Sequence, residues 1–239
     1  MKLYKSNLLN VNHCFTTRNG GCSKEPYASL NVAYHVGDRR DDVVQNHKLL
    51  AHEAGYDFKK LVFMNQIHSN KVELIGDESF SIPSCDALVT NVPGIPLMVM
   101  SADCAPLLFH DEANEVVAAA HVGRAGAFGD IISNVLQTMQ LHFASNAADI
   151  KVVVGPRICK ACYEVGQKEI DEAKELGYGF ACEGSHLNID AIIAHQLASN
   201  GIAKQQTEFL PHCTRCEHEE FFSYRHERTT GRNAAVIVL

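Results

Sequence analysis

Three side chains suited to binding a metal ion lie at polar breaks beside apolar runs of the sequence. His68 stands between two apolar runs, Cys104 follows one run and precedes another, and His121 lies at the end of a further one. Imidazole and thiolate are zinc ligands. Three protein ligands with one open coordination position make a catalytic zinc site, whereas four protein ligands make a structural one. The intervals, 36 residues from 68 to 104 and 17 from 104 to 121, match no compact zinc-finger spacing. Spacing alone therefore also allows ordinary core or loop side chains at these positions.

A glycine-rich turn follows the last of these residues. Gly123 and Gly126 lie between an apolar run at 116–120 and a helical apolar stripe that begins at Ile131. Glycine lets the backbone approach a ligand closely, and the free N–H groups at the start of a helix attract negative charge. The turn therefore predicts a phosphate or carboxylate site, with a plain strand-to-helix turn as the alternative.

Two C-x-x-C pairs form a rival metal site. The first pair is Cys159 and Cys162, and the second is Cys213 and Cys216. Two such pairs are a recognised pattern of zinc ligands. The residues between the pairs, 163–212, are a long connection for a zinc ribbon and contain helical stretches. These features count against a four-cysteine zinc site, and whether the two pairs bind a metal stays open at this point.

The apolar pattern of the chain alternates between strand-like and helix-like segments. Runs typical of strands occupy 61–64, 71–75, 87–90, 97–100, 106–110, 116–120, 150–154 and 234–239. Helical periodicity marks residues 43–54, 131–143, 167–176 and 189–199. Because strands and helices intermix, we expect an α/β or α+β fold.

Composition restricts the class of protein. The 239 residues are 46% hydrophobic and 21% charged, as in proteins that fold around an apolar core. No linker or internal repeat stands out, so we expect one domain over 1–239. The 28 acidic against 21 basic residues argue against nucleic acid or membrane partners and favour a small-molecule substrate. The start of the chain does not resemble a signal peptide, which predicts a cytoplasmic protein, and we expect its nine cysteines to be free thiols or metal ligands.

A set of ordered motifs gives the chain a resemblance to a known family. The motifs are FTTRNGG at 15–21, YASLN at 27–31, NQIH at 65–68, SCDALVT at 84–90, ADCAP at 102–106, AHVG at 120–123, GPRI at 155–158, CYEV at 162–165, CT at 213–214, FFSYR at 221–225 and TGR at 230–232. In order and spacing they resemble the motifs of the YfiH family, also called the laccase-like polyphenol oxidase family. The resemblance extends over nearly the whole chain.

This resemblance implies a fold, a metal and an activity. It implies mixed sheets flanked by helices and a Zn²⁺ site built from His68, Cys104 and His121. It also implies phosphorolysis of adenosine, inosine or methylthioadenosine to a free base and a sugar 1-phosphate, with adenosine deamination as a further activity. The expected partners are thus a nucleoside and phosphate. Asp103, beside Cys104, is a catalytic candidate that could orient a ligand or transfer a proton, or else could cap the backbone.

The chain departs from the family at the glycine turn. Where the family motif is HAGWRG, this sequence has HVGRAG, so arginine replaces the tryptophan and alanine replaces the arginine. Arg124 is therefore the expected substitute for the family arginine as the positive group that faces phosphate. Arg18 and Arg225 are further candidates for the phosphate site, together with Gly123 and Gly126.

Three other functions stay open at this point. Two histidines and a cysteine also resemble a blue-copper site, but a laccase needs further copper ions, commonly held by His-x-His pairs. None of the thirteen histidines is two residues from another, so copper is the less favoured metal. Cys104 could instead be the nucleophile of a hydrolase that edits peptidoglycan precursors, with a histidine as its base. A binding module without activity is the least favoured, because a ligand set with an open position suits catalysis.

Overall fold

The structure is a computed structural model that describes residues 1–77 and 82–239. Its strands are β1 (Leu3–Tyr4), β2 (Asn12–Thr16), β3 (Val62–Phe63), β4 (Val72–Leu74), β5 (Ala87–Thr90), β6 (Leu97–Ser101), β7 (Ala105–Asp111), β8 (Val116–Val122), β9 (Ile150–Val154), β10 (Cys182–Glu183), β11 (His186–Leu187), β12 (Thr207–Phe209) and β13 (Asn233–Val238). Its α-helices are α1 (Arg40–Ala54), α2 (Arg124–Phe128), α3 (Ile131–Phe143), α4 (Gln167–Glu175), α5 (Ile189–Ser199) and α6 (Tyr224–Glu227). Short 3-10 turns occupy Phe58–Lys60, Lys160–Cys162, Gly179–Ala181 and Lys204–Gln206.

A six-stranded sheet forms the centre of the fold, in the order β12-β9-β7-β8-β5-β4. The pairs β12–β9 and β4–β5 are parallel and the other pairs are antiparallel, so the sheet is mixed. All seven residues of β7 and of β8 are buried. A strand covered on both faces needs apolar side chains at nearly every position, which explains the continuous apolar runs in these two segments.

A second, five-stranded sheet packs on one face of the first, in the order β1-β2-β13-β6-β3. Leu97 and Val99 of β6 belong to the same buried cluster as Leu108 of β7. Their neighbours Met98 and Met100 belong to a different cluster, with residues of α1. Successive strand residues face opposite sides, so β6 contributes to both cores at once.

Helices cover the outer faces of the two sheets. Leu50 and Ala54 of α1 pack against the five-stranded sheet, while Ile132 of α3 and Ile193 of α5 pack against the six-stranded sheet. The resulting order is helix, sheet, sheet, helices, which buries both faces of each sheet. Throughout the part of the chain that the structure describes, no helix combines the length and hydrophobicity of a membrane span.

The mixed α/β fold is the one that the sequence predicts. Each of the eight predicted strands coincides with or overlaps an observed strand, and the four predicted helices are α1, α3, α4 and α5. The apolar pattern of the sequence does not mark β1, β2, β10, β11, β12, α2 and α6. The sequence of β2, NHCFT, is too polar to be recognised as a strand, although four of its five residues are buried.

The strand connections bring the candidate residues together. His68 lies between β3 and β4, Cys104 lies between β6 and β7, and His121 is next to the last residue of β8. Because β6 belongs to the five-stranded sheet and β7 to the six-stranded sheet, Cys104 lies where the chain crosses from one sheet to the other.

Candidate functional site

The three predicted metal ligands meet in space. The ligand atoms of His68, Cys104 and His121 all lie within 4.8 Å of one another. The two imidazole rings are nearly perpendicular, at 88°, with centroids 4.8 Å apart. His121 is buried, Cys104 is half-buried and His68 is exposed, so the group lies at the inner end of an opening to solvent.

A buried carboxylate holds two of these residues in place. Asp86 accepts hydrogen bonds from Nδ1 of His121 at 2.9 Å, from the backbone N–H of His68 at 3.0 Å and from the N–H of Ser69 at 2.6 Å. Since Nδ1 of His121 is engaged, Nε2 is the ring nitrogen left for a metal ion. Burial alone would raise the pKa of Asp86, but the hydrogen bonds from His121 and Ser69 hold it below its usual value. The carboxylate is therefore charged at neutral pH.

The donor set fits a borderline-soft metal ion such as zinc. Burial alone would raise the pKa of the Cys104 thiol, but the neighbouring His121 and His68 lower it to about 6. Burial alone would lower the pKa of His121, and the Cys104 thiolate and Asp86 raise it instead. A thiolate and two imidazoles are ligands that zinc accepts, and metal binding would displace the His121 proton. This group could therefore hold a metal ion.

Gly123 allows the close packing of this group. A Cβ atom at this position would lie 2.9 Å from Sγ of Cys104 and 3.4 Å from Cδ2 of His68. The φ of Gly123 is −86°, which any residue can adopt. The close approach of the ligands, and not the backbone conformation, requires glycine here.

The ligands line a cavity of about 310 Å³. This volume is at the lower end of the usual range for small-molecule sites, about 300–1000 Å³. Aromatic rings of Tyr163 and Tyr224 line it, and burial raises the pKa of Tyr163 to about 12, so its hydroxyl is a proton donor at neutral pH. The rest of the lining comes from His35, Gln66, Met100, Ser101, Ala102, Asp103, Ile158, Arg225 and Arg232.

Two arginines bring positive charge to the cavity. Nη1 of Arg225 donates to the carbonyl of Glu164 at 2.5 Å, and its guanidinium lies 5.1 Å from the centroid of the Tyr163 ring. Nη1 of Arg232 donates to two carbonyls of its own turn, each at 3.0 Å. A guanidinium carries five N–H donors, so both arginines keep donors for an anion.

Asp103 is bound by three donors from other parts of the chain. One carboxylate oxygen accepts from the hydroxyls of Thr214 at 2.8 Å and Ser223 at 2.6 Å, and the other accepts from the backbone N–H of Arg225 at 2.6 Å. Its φ of 93° is rare for a residue with a side chain and needs such support. These contacts favour the capping role for Asp103 over proton transfer.

Arg18 and Gly126, like Gly123, were predicted for the phosphate site but lie outside the cavity lining. Arg18 is buried, and its guanidinium donates to the carbonyls of Ala28 and His218 and to the carboxylate of Glu227, each at 2.9 Å. Gly126 is buried inside α2, where a Cβ would lie 3.2 Å from a backbone carbonyl. Protein contacts account for Arg18 and Gly126, and a role of either residue in binding phosphate stays a prediction.

The predicted anion-binding turn is a short helix followed by a longer one. α2 begins at Arg124, and α3 has its first turn capped by the carboxylate of Asp130. A protein carboxylate thus occupies the helix start where the sequence predicted an external anion. Arg124 pairs with Glu172 at 2.9 Å and also lines a narrow pocket of about 40 Å³ beside Cys104.

The two C-x-x-C pairs also meet. The Sγ atoms of Cys159, Cys162, Cys213 and Cys216 lie within 4.8 Å of one another. The long connection between the pairs is no obstacle, because β9 and β12 are parallel neighbours and the pairs follow these two strands. The length of the connection is therefore no argument against this cluster, and metal binding by the four cysteines stays a prediction.

A family model described as multi-copper polyphenol oxidoreductase laccase matches residues 12–239. A YfiH protein from Escherichia coli K12 is 37% identical, over 95% of this chain and 93% of its own length. The chain belongs to the YfiH family. That relative and one from Corynebacterium glutamicum, also 37% identical and covering 96% of this chain and 94% of its own, are named purine nucleoside phosphorylases. The crystal structure of YfiH from Bacillus licheniformis has a TM-score of 0.89, with 32% identity over 95% of this chain and 92% of its own.

Some residues of the site belong to the family motifs but were not predicted from the sequence to be site residues. Asp86, Tyr224 and Arg232 all stand inside motifs that carry the resemblance, but none of them was predicted to be a site residue. Their positions in those motifs were the available signal. The motif itself does not show which of its residues faces the cavity.

Proposed function

We propose that this protein is a zinc-dependent purine nucleoside phosphorylase. It converts adenosine, inosine or methylthioadenosine, together with phosphate, to the free base and a sugar 1-phosphate, and it deaminates adenosine as a further activity. One observation carries the proposal: two imidazoles and a thiolate, with ligand atoms within 4.8 Å, line a cavity that also contains two arginines. The names of the relatives support the substrate class.

In this proposal His68, Cys104 and His121 hold the zinc ion. When bound, zinc supplies a Lewis acid that can polarise a substrate oxygen or lower the pKa of a water molecule. Asp86 keeps the His121 ring in one orientation, and Gly123 leaves room for the ligands to approach one another. These contacts fix the ligand geometry before substrate binds, which is the condition for efficient catalysis.

Phosphate is held by arginine side chains of the cavity and its rim. Arg225 and Arg232 line the cavity, and Arg124 lines the adjoining narrow pocket. A phosphate oxygen forms a bond to the anomeric carbon as the carbon–nitrogen bond to the purine breaks, and the bonding electron pair leaves with the base. The departing base carries negative charge and takes up a proton. The hydroxyl of Tyr163, which lines the narrow pocket together with Cys104, donates this proton. Asp103 acts as a positioning residue, because it binds the backbone of Arg225.

A copper oxidase is the weaker interpretation of the same ligands. Residues 1–77 and 82–239 contain two groups of three or more side chains that could bind a metal ion. One is His68, Cys104 and His121, and the other is the four cysteines. Neither group resembles the many-histidine cluster on which a laccase depends. The name of the family model thus has less support from the residues of this chain than the names of the relatives have.

A hydrolase with Cys104 as nucleophile is a second candidate. The lowered pKa of Cys104 and the neighbouring His121 are the features of an activated thiolate. In this alternative the substrate is a peptidoglycan precursor and no metal is needed. Alkylation of Cys104 would then abolish hydrolysis by metal-free protein, whereas the zinc proposal expects metal-free protein to be inactive on such substrates.

Product analysis tests the proposed reaction. The purified protein is incubated with adenosine, with and without phosphate, and the products are separated by chromatography. Adenine formed only with phosphate, together with ribose 1-phosphate, supports phosphorolysis, and inosine formed in both samples supports deamination. Adenine and free ribose at equal rates in both samples would identify a hydrolase, and the absence of any product from adenosine, inosine and methylthioadenosine would contradict the proposal.

A further inference from the structure

Four cysteines form a compact cluster, and two of them are next in sequence to residues that line the cavity. Cys213 is buried, Cys159 and Cys162 are half-buried, and Cys216 is exposed. All four sulfur atoms lie within 4.8 Å of one another, and Sγ of Cys162 is 3.4 Å from Sγ of Cys216. A tetrahedral zinc ion holds each sulfur at about 2.3 Å, which places the sulfurs about 3.8 Å apart. The cluster thus has the dimensions of a four-thiolate metal site.

The backbone around the cluster supports a thiolate at its centre. The N–H groups of Cys159 and Cys216 both point to Sγ of Cys213, at 3.3 Å and 3.5 Å. The N–H of Cys162 donates to the carbonyl of Cys159, which closes the tight turn of the first pair. Sulfur is a good acceptor of backbone hydrogen bonds only when it carries negative charge, and metal-bound cysteine is such a sulfur.

The cluster joins two loops that follow neighbouring strands. Arg157 and Cys213 form a parallel bridge, and the N–H of Thr214 donates to the carbonyl of Arg157 at 3.1 Å. Tyr163, which lines the cavity, follows Cys162 directly, and Thr214, which binds Asp103, follows Cys213 directly. Any group that fixes the four cysteines also fixes these two parts of the cavity wall.

We infer that Cys159, Cys162, Cys213 and Cys216 bind a second Zn²⁺ ion, which fastens the loops after β9 and β12 to each other. Four protein ligands leave no open position, so this ion is structural and takes no part in the reaction. Its binding energy adds to the stability of the folded chain. The inference does not depend on the proposed function, because the ligand set is separate from His68, Cys104 and His121.

Elemental analysis of a Cys104→Ala protein, produced with added zinc and purified in reducing buffer, tests the inference without the first metal site. We expect one zinc per chain in this background, and none when Cys159→Ser and Cys216→Ser are added. Cys182→Ser, a half-buried cysteine outside the cluster, is the matched control and keeps the zinc. Cys216→His also keeps it, because three cysteines and one histidine are an accepted zinc set.

Cobalt substitution gives a readout that does not require the serine variants to fold. Co²⁺ bound in the Cys104→Ala protein should show the sulfur-to-cobalt charge-transfer absorption of four thiolates, with lower intensity in Cys216→His. Three results would overturn the inference: no metal in the Cys104→Ala protein, zinc retained after both serine substitutions, or a disulfide between Cys162 and Cys216 found by mass spectrometry of the reduced-purified protein. A fourth, iron in place of zinc, would contradict the identity of the metal.

Discussion

The carboxylate of Asp86 and Nδ1 of His121 are 2.9 Å apart, 35 residues apart in sequence, and both side chains are buried. The same carboxylate accepts from the backbone N–H of His68, so one buried charge orients the imidazole of His121 and holds the backbone of His68, two of the three residues proposed to bind zinc. A ligand whose second nitrogen is fixed in this way keeps its tautomer and its ring orientation. The organisation of the site thus depends on a residue that is not itself a ligand.

The Asp86→Asn substitution tests this relationship. An asparagine amide has only one acceptor oxygen, and its NH₂ group would face N–H groups that need an acceptor. We therefore expect zinc affinity to fall by about 10- to 100-fold. Loss of the charged hydrogen bonds should lower the free energy of unfolding by about 2–3 kcal/mol. Chelator competition measures the affinity, and thermal unfolding measures the stability.

Asp111→Asn is the matched control for this change. Asp111 is also fully buried and accepts hydrogen bonds from the backbone of Ala113 and from the side chain of Asn114, but it lies at the opposite end of β7 from Cys104. The Asp111→Asn substitution should lower the free energy of unfolding and leave zinc affinity unchanged. Equal zinc affinity in Asp86→Asn and the parent protein would show that the carboxylate has no effect on the metal site.

The Gly123→Ala substitution tests the close packing of the ligands. The added Cβ would be 2.9 Å from Sγ of Cys104, so the thiolate must move and zinc should bind at least about tenfold more weakly, as when ligand support is lost. The backbone φ of −86° accepts alanine, so the melting temperature of the metal-free protein should change little. Gly179→Ala, where the nearest atom to the new Cβ is 3.7 Å away, is the control. Unchanged zinc affinity in Gly123→Ala would mean that Cys104 does not need its present position.

The pH dependence of alkylation tests the electrostatics of Cys104. In metal-free protein the neighbouring His121 and His68 hold the pKa of this thiol at about 6, so the reactive thiolate dominates above that pH. The alkylation rate should rise through about pH 6 and then level off. Cys22, whose thiol pKa is raised by burial and by Asp42, should continue to react faster as the pH increases beyond 9. Peptide mapping separates the two sites, and a Cys104 profile parallel to that of Cys22 would refute the lowered pKa.

Arginine substitutions test the phosphate site. Arg225→Ala and Arg124→Ala each remove one charge-assisted contact, so kcat/KM for phosphorolysis should fall by about 10- to 100-fold and the KM for phosphate should rise, which corresponds to roughly 1.5–3 kcal/mol. Zinc content and deamination should change much less, because arginine is not a metal ligand. Glu172→Gln removes the partner of Arg124 and should leave the KM for phosphate unchanged or lower. If both alanine variants stay within about twofold of the parent, the arginines do not bind phosphate.

The fold was more accessible from the sequence than the details of the site. Continuous apolar runs mark β7 and β8 because both faces of these strands are covered, and that requirement is local in sequence. The short helix α2 was missed because its sequence, RAGAF, contains glycine and is held mainly by tertiary packing. Local propensity says little about such segments.

The contacts that organise the site arise from pairing between distant segments. An aspartate at the start of a strand is indistinguishable in sequence from a backbone cap, and only the pairing of β5 with β8 brings Asp86 to His121. In the same way, the parallel pairing of β9 with β12 brings Cys159 and Cys213 together across 54 residues. The number of intervening residues gave the opposite expectation, because chain length does not report which strands are neighbours.

The central claim is that phosphorolysis occurs at the site of His68, Cys104 and His121, and the most direct measurement is ribose 1-phosphate formed from adenosine and phosphate by zinc-loaded protein. We expect the parent protein to form ribose 1-phosphate and adenine in equal amounts, at a rate that saturates with phosphate. Cys104→Ser should reduce that rate by at least about a hundredfold, since it removes a ligand of the catalytic ion. Ribose 1-phosphate formation at the parental rate by Cys104→Ser, or none by the zinc-loaded parent, would contradict the account.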